Sequence, residues 1–74
     1  MKLKHNADLS AFLQAARSCQ HEIVFISAEN DRLNLKSQLC SYIFLVLARH
    51  PELLERGEVL LEPDDVALMK DFVE

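Results

Sequence analysis

Apolar positions along this chain recur with the period of a helix in some segments and of a strand in others. Between residues 8 and 19 they recur three and four residues apart with polar side chains opposite, which predicts an amphipathic helix. Asn6 or Asp8 can cap its start by accepting hydrogen bonds from free backbone N–H groups. The positions predicted to face inward are Leu9, Phe12, Leu13, Ala16 and Cys19.

Two neighbouring segments in the first half of the chain carry the pattern of strands. Residues 22–27 are β-branched and aromatic, and residues 32–36 alternate so that Leu33 and Leu35 share one face. The residues between them are typical of a turn, in which Asn30 can take the left-handed backbone conformation. The sequence therefore predicts a β-hairpin here.

Further elements are predicted nearer the ends of the chain. Leu3 and His5 alternate with lysines in a short first strand that has one wet face, and residues 58–62 form a last strand. Residues 64–73 then form a final helix. Its first-turn carboxylates, including Asp65, are expected to be solvated and to complement the helix dipole.

The second long helix is apolar on nearly every side. Ser37 is a natural N-cap for a helix over residues 38–49. The pattern places its inner stripe at Leu39, Tyr42, Ile43, Val46 and Leu47. Phe44 and Leu45 fall outside that stripe, and this excess of apolar surface predicts contact with another chain, self or foreign. In the alternative, a short helical turn over residues 51–56 folds back over these two side chains and completes the core.

The predicted order is strand, helix, strand, strand, helix, strand, helix, in a single domain over residues 1–74. Half of the residues are apolar, which is ample for the core of a chain this short. Helices on one face of a mostly antiparallel, four-stranded sheet give a two-layer α+β sandwich.

Charge and composition disfavour several classes of function. The net charge is −4 and the Lys and Arg residues are scattered, which disfavours nucleic-acid binding. A single Gly excludes a Gly-rich loop that would hold nucleotide phosphates. The longest apolar run, residues 42–48, is too short to cross a bilayer, and the N-terminus has no secretory signal. We therefore expect a cytoplasmic protein without a membrane partner.

Residues that carry chemistry are few and widely spaced. Cys19 and Cys40 fall at no metal or redox spacing, which predicts small buried thiols. His5, His21 and His50 have no two-ligand helical spacing, so no metal site is predicted. We expect no cofactor, no small-molecule substrate and no enzyme active site.

Short motifs occur at the junctions of these elements. The first helix ends in Ala15-Ala16-Arg17, and the hairpin leads through Leu35-Lys36-Ser37-Gln38-Leu39 into the second helix. With the closing strand and helix, these motifs resemble the HPr family, the histidine-containing phosphocarriers of the bacterial sugar phosphotransferase system. The resemblance covers most of the chain and implies a bacterial protein with an HPr-like open-faced sandwich, order β-α-β-β-α-β-α.

The family's two phosphorylated side chains have different counterparts in this chain. The phosphocarrier histidine is followed by a small residue and Arg-Pro in the family, whereas His5, near that position, is followed by Asn6-Ala7-Asp8. The phosphate-handling loop is thus missing, and Asp8 would oppose a phosphoryl dianion. Ser37 matches the regulatory serine that some Gram-positive bacteria phosphorylate, and the alternative is that it serves only as an N-cap.

Three functions follow as hypotheses from these features. The first is a non-catalytic HPr-like domain that acts through protein–protein contacts, in a regulatory or adaptor role or as a homo-oligomer. The resemblance implies a docking surface on the second helix at Leu39, Cys40, Ile43 and Phe44, and the excess of apolar surface adds Leu45. The second is a phosphocarrier of a sugar phosphotransferase system that uses His5. The third is a small phage- or toxin-related binding protein that shares only the order of elements.

Overall fold

The computed structural model describes all of residues 1–74, and it shows a small α+β fold. Its elements follow one another closely along the chain. They are α1 (Leu9–Ser18), β1 (Val24–Ile26), β2 (Arg32–Asn34), α2 (Gln38–Leu47), α3 (Pro51–Arg56), β3 (Glu58–Leu60), a 3₁₀ turn (Pro63–Asp65) and α4 (Val66–Met69). The predicted hairpin, both long helices and the short extra helix after Pro51 are therefore confirmed.

The sheet has three antiparallel strands in the order β2-β1-β3. Phe25 lies at its centre, opposite Leu33 on one side and Val59 on the other, and all three side chains are buried. The alternate residues are half-buried or exposed, so the core covers one face of the sheet. Asn30 in the hairpin turn has a φ of 68°, which confirms the left-handed conformation predicted there.

The predicted first strand does not form, and the four-stranded sheet is not confirmed. Leu3 makes only an isolated antiparallel bridge to Val73, and Lys2 exchanges backbone hydrogen bonds with Glu74. Met1 exchanges a further pair with the middle of β3. The segment thus lies between β3 and the C-terminal residues, and the turn that follows it at residues 5–6 leaves too few residues for a longer ladder.

The last helix is shorter than the predicted span of residues 64–73. It begins as the 3₁₀ turn, and α4 ends at Met69. Phe72 and Val73 lie beyond it, where Phe72 contacts the ring of Phe12 edge-on at 5.9 Å between centroids. Val73 is buried beside Leu3, so pairing with the N-terminal segment has replaced the last helical turn.

Aromatic side chains form the centre of the core. The ring of Phe44 lies 5.7 Å from that of Phe12 and 5.1 Å from that of Phe25, measured between centroids. These contacts join α1, α2 and the sheet, and such tilted and edge-to-face pairs add to the stability gained by burial. Gly57 lies so close to the ring of Phe25 that a Cβ there would have no room.

Both long helices begin at a capping side chain. Asp8 Oδ1 accepts a hydrogen bond from Ala11 N at 3.2 Å, and Ser37 Oγ accepts one from Cys40 N at 3.4 Å. Each bond satisfies a backbone N–H group that has no partner within the helix. The predicted role of Ser37 as an N-cap is confirmed.

Candidate functional site

The side of α2 that faces the sheet carries small residues around one large ring. Phe44 is fully buried, and Ser41 is buried with its hydroxyl donating to the carbonyl oxygen of Leu35 at 2.8 Å. Cys40 and Ala48 lie on the same side and are partly buried. Small side chains here let the helix approach the sheet closely while Phe44 fills the space between α1 and β1.

The inner stripe predicted from the sequence is therefore wrong. Four of its five members lie on the opposite side of the helix and are exposed, namely Leu39, Tyr42, Ile43 and Val46. The pattern failed because an all-apolar helix has no polar face that would mark its outer side. The recurring small residues Ser37, Cys40, Ser41 and Ala48 were the signal that could have identified the inner side.

The exposed side of α2 forms the candidate site, which we call the outer face. It consists of Leu39, Tyr42, Ile43, Leu45 and Val46. Leu39 is 68% exposed and Tyr42 is 67% exposed, which are high fractions for such large apolar side chains. With Ile43 and Val46 they are spaced as i, i+3, i+4 and i+7, so they form one continuous stripe along two turns.

The predicted docking residues divide between the two sides of α2. Leu39, Ile43 and Leu45 lie on the outer face. The structure corrects the prediction that Phe44 contacts a partner, because a side chain fully enclosed by its own chain cannot contact another protein. Cys40 is half-buried on the core side and packs against the core, so it also contributes little surface.

The alternative in which the short extra helix covers the surplus side chains is not what the structure shows. α3 packs against α2, yet Leu45 remains 42% exposed. Beside Ile43 there is instead an open cleft of about 580 Å³ between α2, α3 and the hairpin turn. Leu47 and Leu53 line it with Arg32 and Arg56, and Glu29 and Asp31 also reach it.

The outer face carries no charge. No ionisable side chain other than Tyr42 and the half-buried Cys40 occurs between Lys36 and Arg49. The Lys36 ammonium donates to the backbone carbonyl of Cys19, and Arg49 lies beyond the end of α2. The centre of the face therefore offers apolar contact and one phenolic hydroxyl group, with charges beyond its ends and in the cleft beside Ile43.

His5, the candidate phosphoryl acceptor, lies in the turn before α1 with its side chain 84% exposed. Its Nδ1 is 3.4 Å from Glu55 Oε1, and no arginine lines the small depression of about 140 Å³ beside it. A carboxylate at this distance repels a phosphoryl dianion, and Lys4 is the only lysine or arginine that lines the depression. The phosphocarrier role of His5 stays a prediction that these surroundings oppose.

A second cluster of polar groups joins the end of α1 to the 3₁₀ turn. Asp65 is buried and accepts hydrogen bonds from Gln20 N and His21 N, both at 3.1 Å. Its Oδ2 is also 3.2 Å from His21 Nδ1. Since a carboxylate only accepts, this contact requires the proton of His21 to be on Nδ1.

Asp65 therefore differs from the solvated charge that the sequence predicted. Burial by itself raises the pKa of its carboxyl group. The hydrogen bonds from Gln20 and His21 and the charge of His21 outweigh burial and hold this pKa below the ordinary value of 3.8. The sequence pattern could not reveal the cluster because its partners are 44 and 45 residues apart.

Of the two thiols predicted to be buried, Cys19 is buried and Cys40 is only half-buried. Both are free, and Cys19 is buried with its Sγ 3.3 Å from the carbonyl oxygen of Ala15. Burial and the nearby charge of Asp65 raise the pKa of the Cys19 thiol, against a smaller opposing effect of Lys36. No group of three or more His, Cys, Asp or Glu side chains is placed to hold a metal ion.

No family model, no curated protein and no solved structure matches this chain. The resemblance to the HPr family therefore stays a prediction. None of the helices combines the length and the apolar character that a membrane span requires.

Proposed function

We propose that this chain is a non-catalytic HPr-like domain that binds another protein chain through the outer face of α2. One observation carries the proposal: five large apolar side chains share one exposed side of a capped, well-packed helix. Their opposite neighbours already complete the core, so the outer face has no further role within the fold. A contact with a partner is the physical use that remains for it.

The size of the outer face supports this proposal. Its five side chains expose on the order of 500 Å², which lies within the range of the largest apolar patches on monomeric proteins. Removing such area from water stabilises a complex by about 25 cal/mol per Å² before the costs of association. Tyr42 and Leu39 are the most exposed, so their burial would contribute most to the free energy of binding.

The order of elements from α1 onward supports the HPr-like part of the proposal. Apart from the extra helix α3 between α2 and β3, it runs helix, hairpin, helix, strand, helix, with the strands in the order β2-β1-β3. In this proposal Ser37 is a regulatory site as well as a cap, because phosphate on it would add about two negative charges at the first turn of α2, where the outer face begins. Intact-mass measurement on protein from its native cells tests this, and an unmodified chain under all growth conditions contradicts it.

Site-specific photo-cross-linking in the cells that make the protein tests the proposed function. A photoreactive phenylalanine analogue replaces Leu39 on the outer face or Leu68 on α4. The two leucines are a matched pair because both lie in helices and are 68% and 52% exposed. We expect discrete cross-linked products from position 39 only, and their loss when Tyr42→Glu is added.

Equal cross-linking from both positions, or none from position 39, would contradict a binding role for the outer face. Far-UV circular dichroism of each variant serves as the control for folding. Because all three changed side chains are exposed, they should leave the fold intact.

A further inference from the structure

We infer that the outer face pairs with the outer face of a second copy of this chain, with the two α2 helices antiparallel across a two-fold axis. This inference rests on the proposed function, because it names the occupant of the same surface. It follows from the charge, the area and the spacing of the outer face.

Charge distinguishes α2 from α1 and α3. In a two-fold contact residue i of one copy meets residue j of the other, so every charged side chain in the contact must find an opposite charge on the same face or lose its hydration unpaired. α1 presents Arg17 on its exposed side, and α3 presents Glu52, Glu55 and Arg56. The outer face presents none, although the whole chain carries −4. Among these three helices, only α2 can meet its own copy without bringing charged side chains into the contact.

The area is sufficient for a weak dimer. Two outer faces together would bury on the order of 1,000 Å², the lower limit for a specific interface. This estimate counts only the five side chains of each copy, and the phenol of Tyr42 adds a polar group at the centre. An interface of this size belongs with weak, transient contacts, so we expect a reversible dimer rather than a permanent one.

The helix dipoles favour an antiparallel pair, and the spacing of the stripe sets which residues then face each other. The midpoint of the stripe falls between Tyr42 and Ile43, so an antiparallel pair places Leu39 of each chain opposite Val46 of its partner. Antiparallel helices bring opposite ends of their dipoles together. Packed helices cross at an angle and diverge from the crossing point, which keeps Arg49 of each chain, beyond the end of α2, in solvent.

Sedimentation equilibrium from about 1 µM to about 1 mM, which spans the affinities of weak, reversible dimers, tests the inference. The average mass of the wild-type chain should rise towards twice that of the monomer. Leu39→Glu should abolish the rise because it brings two carboxylates into the contact, whereas the matched Leu68→Glu should retain it. Both sites are exposed, so both variants should fold as the wild type does.

Disulfide trapping then tests the direction of the helices. In a Cys40→Ala background, Leu39→Cys and Val46→Cys chains are mixed and oxidised at the dimeric concentration. The antiparallel pair predicts that the mixed 39–46 disulfide dominates. Dominant 39–39 and 46–46 products would indicate parallel helices and overturn the geometry, and the buried Cys19 should remain a free thiol throughout.

A wild-type chain that stays monomeric throughout, or a dimer that Leu39→Glu leaves intact, overturns the inference. Its failure is separable from failure of the proposed function. A monomer whose position 39 still cross-links to a different protein in cells leaves the proposed function standing with another occupant. A monomer that also gives no such product contradicts both.

Discussion

α1 and α2 are ten residues long, and each begins at a capping side chain, but their sequences specify their orientation to very different degrees. In α1 the residues predicted to face inward include Phe12, Leu13 and Ala16, and all three are buried. In α2 the predicted inner stripe is mostly exposed, and Phe44, predicted to lie outside it, is fully buried. The comparison shows that an amphipathic pattern specifies which side of a helix faces the core, whereas total hydrophobicity does not.

The polar residues of α1 fix its orientation because turning the helix would bury them without partners. Ser10, Gln14 and Arg17 are all exposed. α2 has no such residues on its outer side, so burial alone would be similar in several orientations. Close packing determines the orientation of α2 instead, because only one side has side chains small enough to approach the sheet. On that side Ser41 also donates a hydrogen bond to the carbonyl oxygen of Leu35. The large side chains that do not fit there remain on the outer face.

The largest effect should come from breaking the buried side of α2. Phe44→Ala removes the ring that contacts both Phe12 and Phe25, and such a cavity costs about 3–5 kcal/mol. A domain of this size has a total stability of about 4–11 kcal/mol, so the variant should lose a large fraction of its stability. Tyr42→Ala, on the same helix, should change stability by less than about 0.5 kcal/mol in the monomer.

Urea denaturation followed by circular dichroism measures both changes at a protein concentration well below the dimer range. Equal losses for Phe44→Ala and Tyr42→Ala would mean that α2 does not turn Phe44 towards the core and Tyr42 towards solvent. A greater loss for Tyr42→Ala would support the inner stripe that the sequence pattern predicted.

The two helices also end differently, and acid should reveal the difference. The turn after α1 is held by Asp65, whereas α2 runs through Arg49 and His50 into α3. The pKa of Asp65 is lowered in the folded chain, so its carboxylate stabilises the fold at pH values above the ordinary aspartate pKa of 3.8. That stabilisation should be lost as the pH falls below 3.8 and through the lowered pKa.

Asp65→Asn should therefore lower the melting temperature at neutral pH and make it fall less steeply as the pH is lowered. The exposed neighbour Asp64 provides the control, because Asp64→Asn should leave the curve nearly unchanged. Melting temperatures recorded from pH 7 down to pH 2 test this. Parallel curves for wild type and Asp65→Asn would show that the buried carboxylate contributes nothing to acid sensitivity.

Local pattern was sufficient for the parts of the fold that local forces determine. The hairpin, its turn at Asn30, the caps at Asp8 and Ser37 and the short helix α3 all follow from neighbouring residues. The pairing of Leu3 with Val73 and the burial of Asp65 depend on partners that are distant in sequence. For that reason the sequence pattern did not predict them. It predicted the excess of apolar surface on α2, which is local, but not which side of α2 faces solvent, because that depends on packing against the sheet.

The smallest effect on the fold should come from giving α2 a polar side like that of α1. The triple variant Leu39→Gln, Tyr42→Gln and Val46→Gln changes only exposed residues, and glutamine favours helix slightly more than tyrosine or valine. The monomer should keep its circular dichroism spectrum and a free energy of unfolding within about 1 kcal/mol of wild type. Self-association and binding of an apolar dye such as ANS should both disappear. If the variant unfolds instead, the outer face packs within its own chain after all, and α2 does not differ from α1 in leaving one apolar side unpaired.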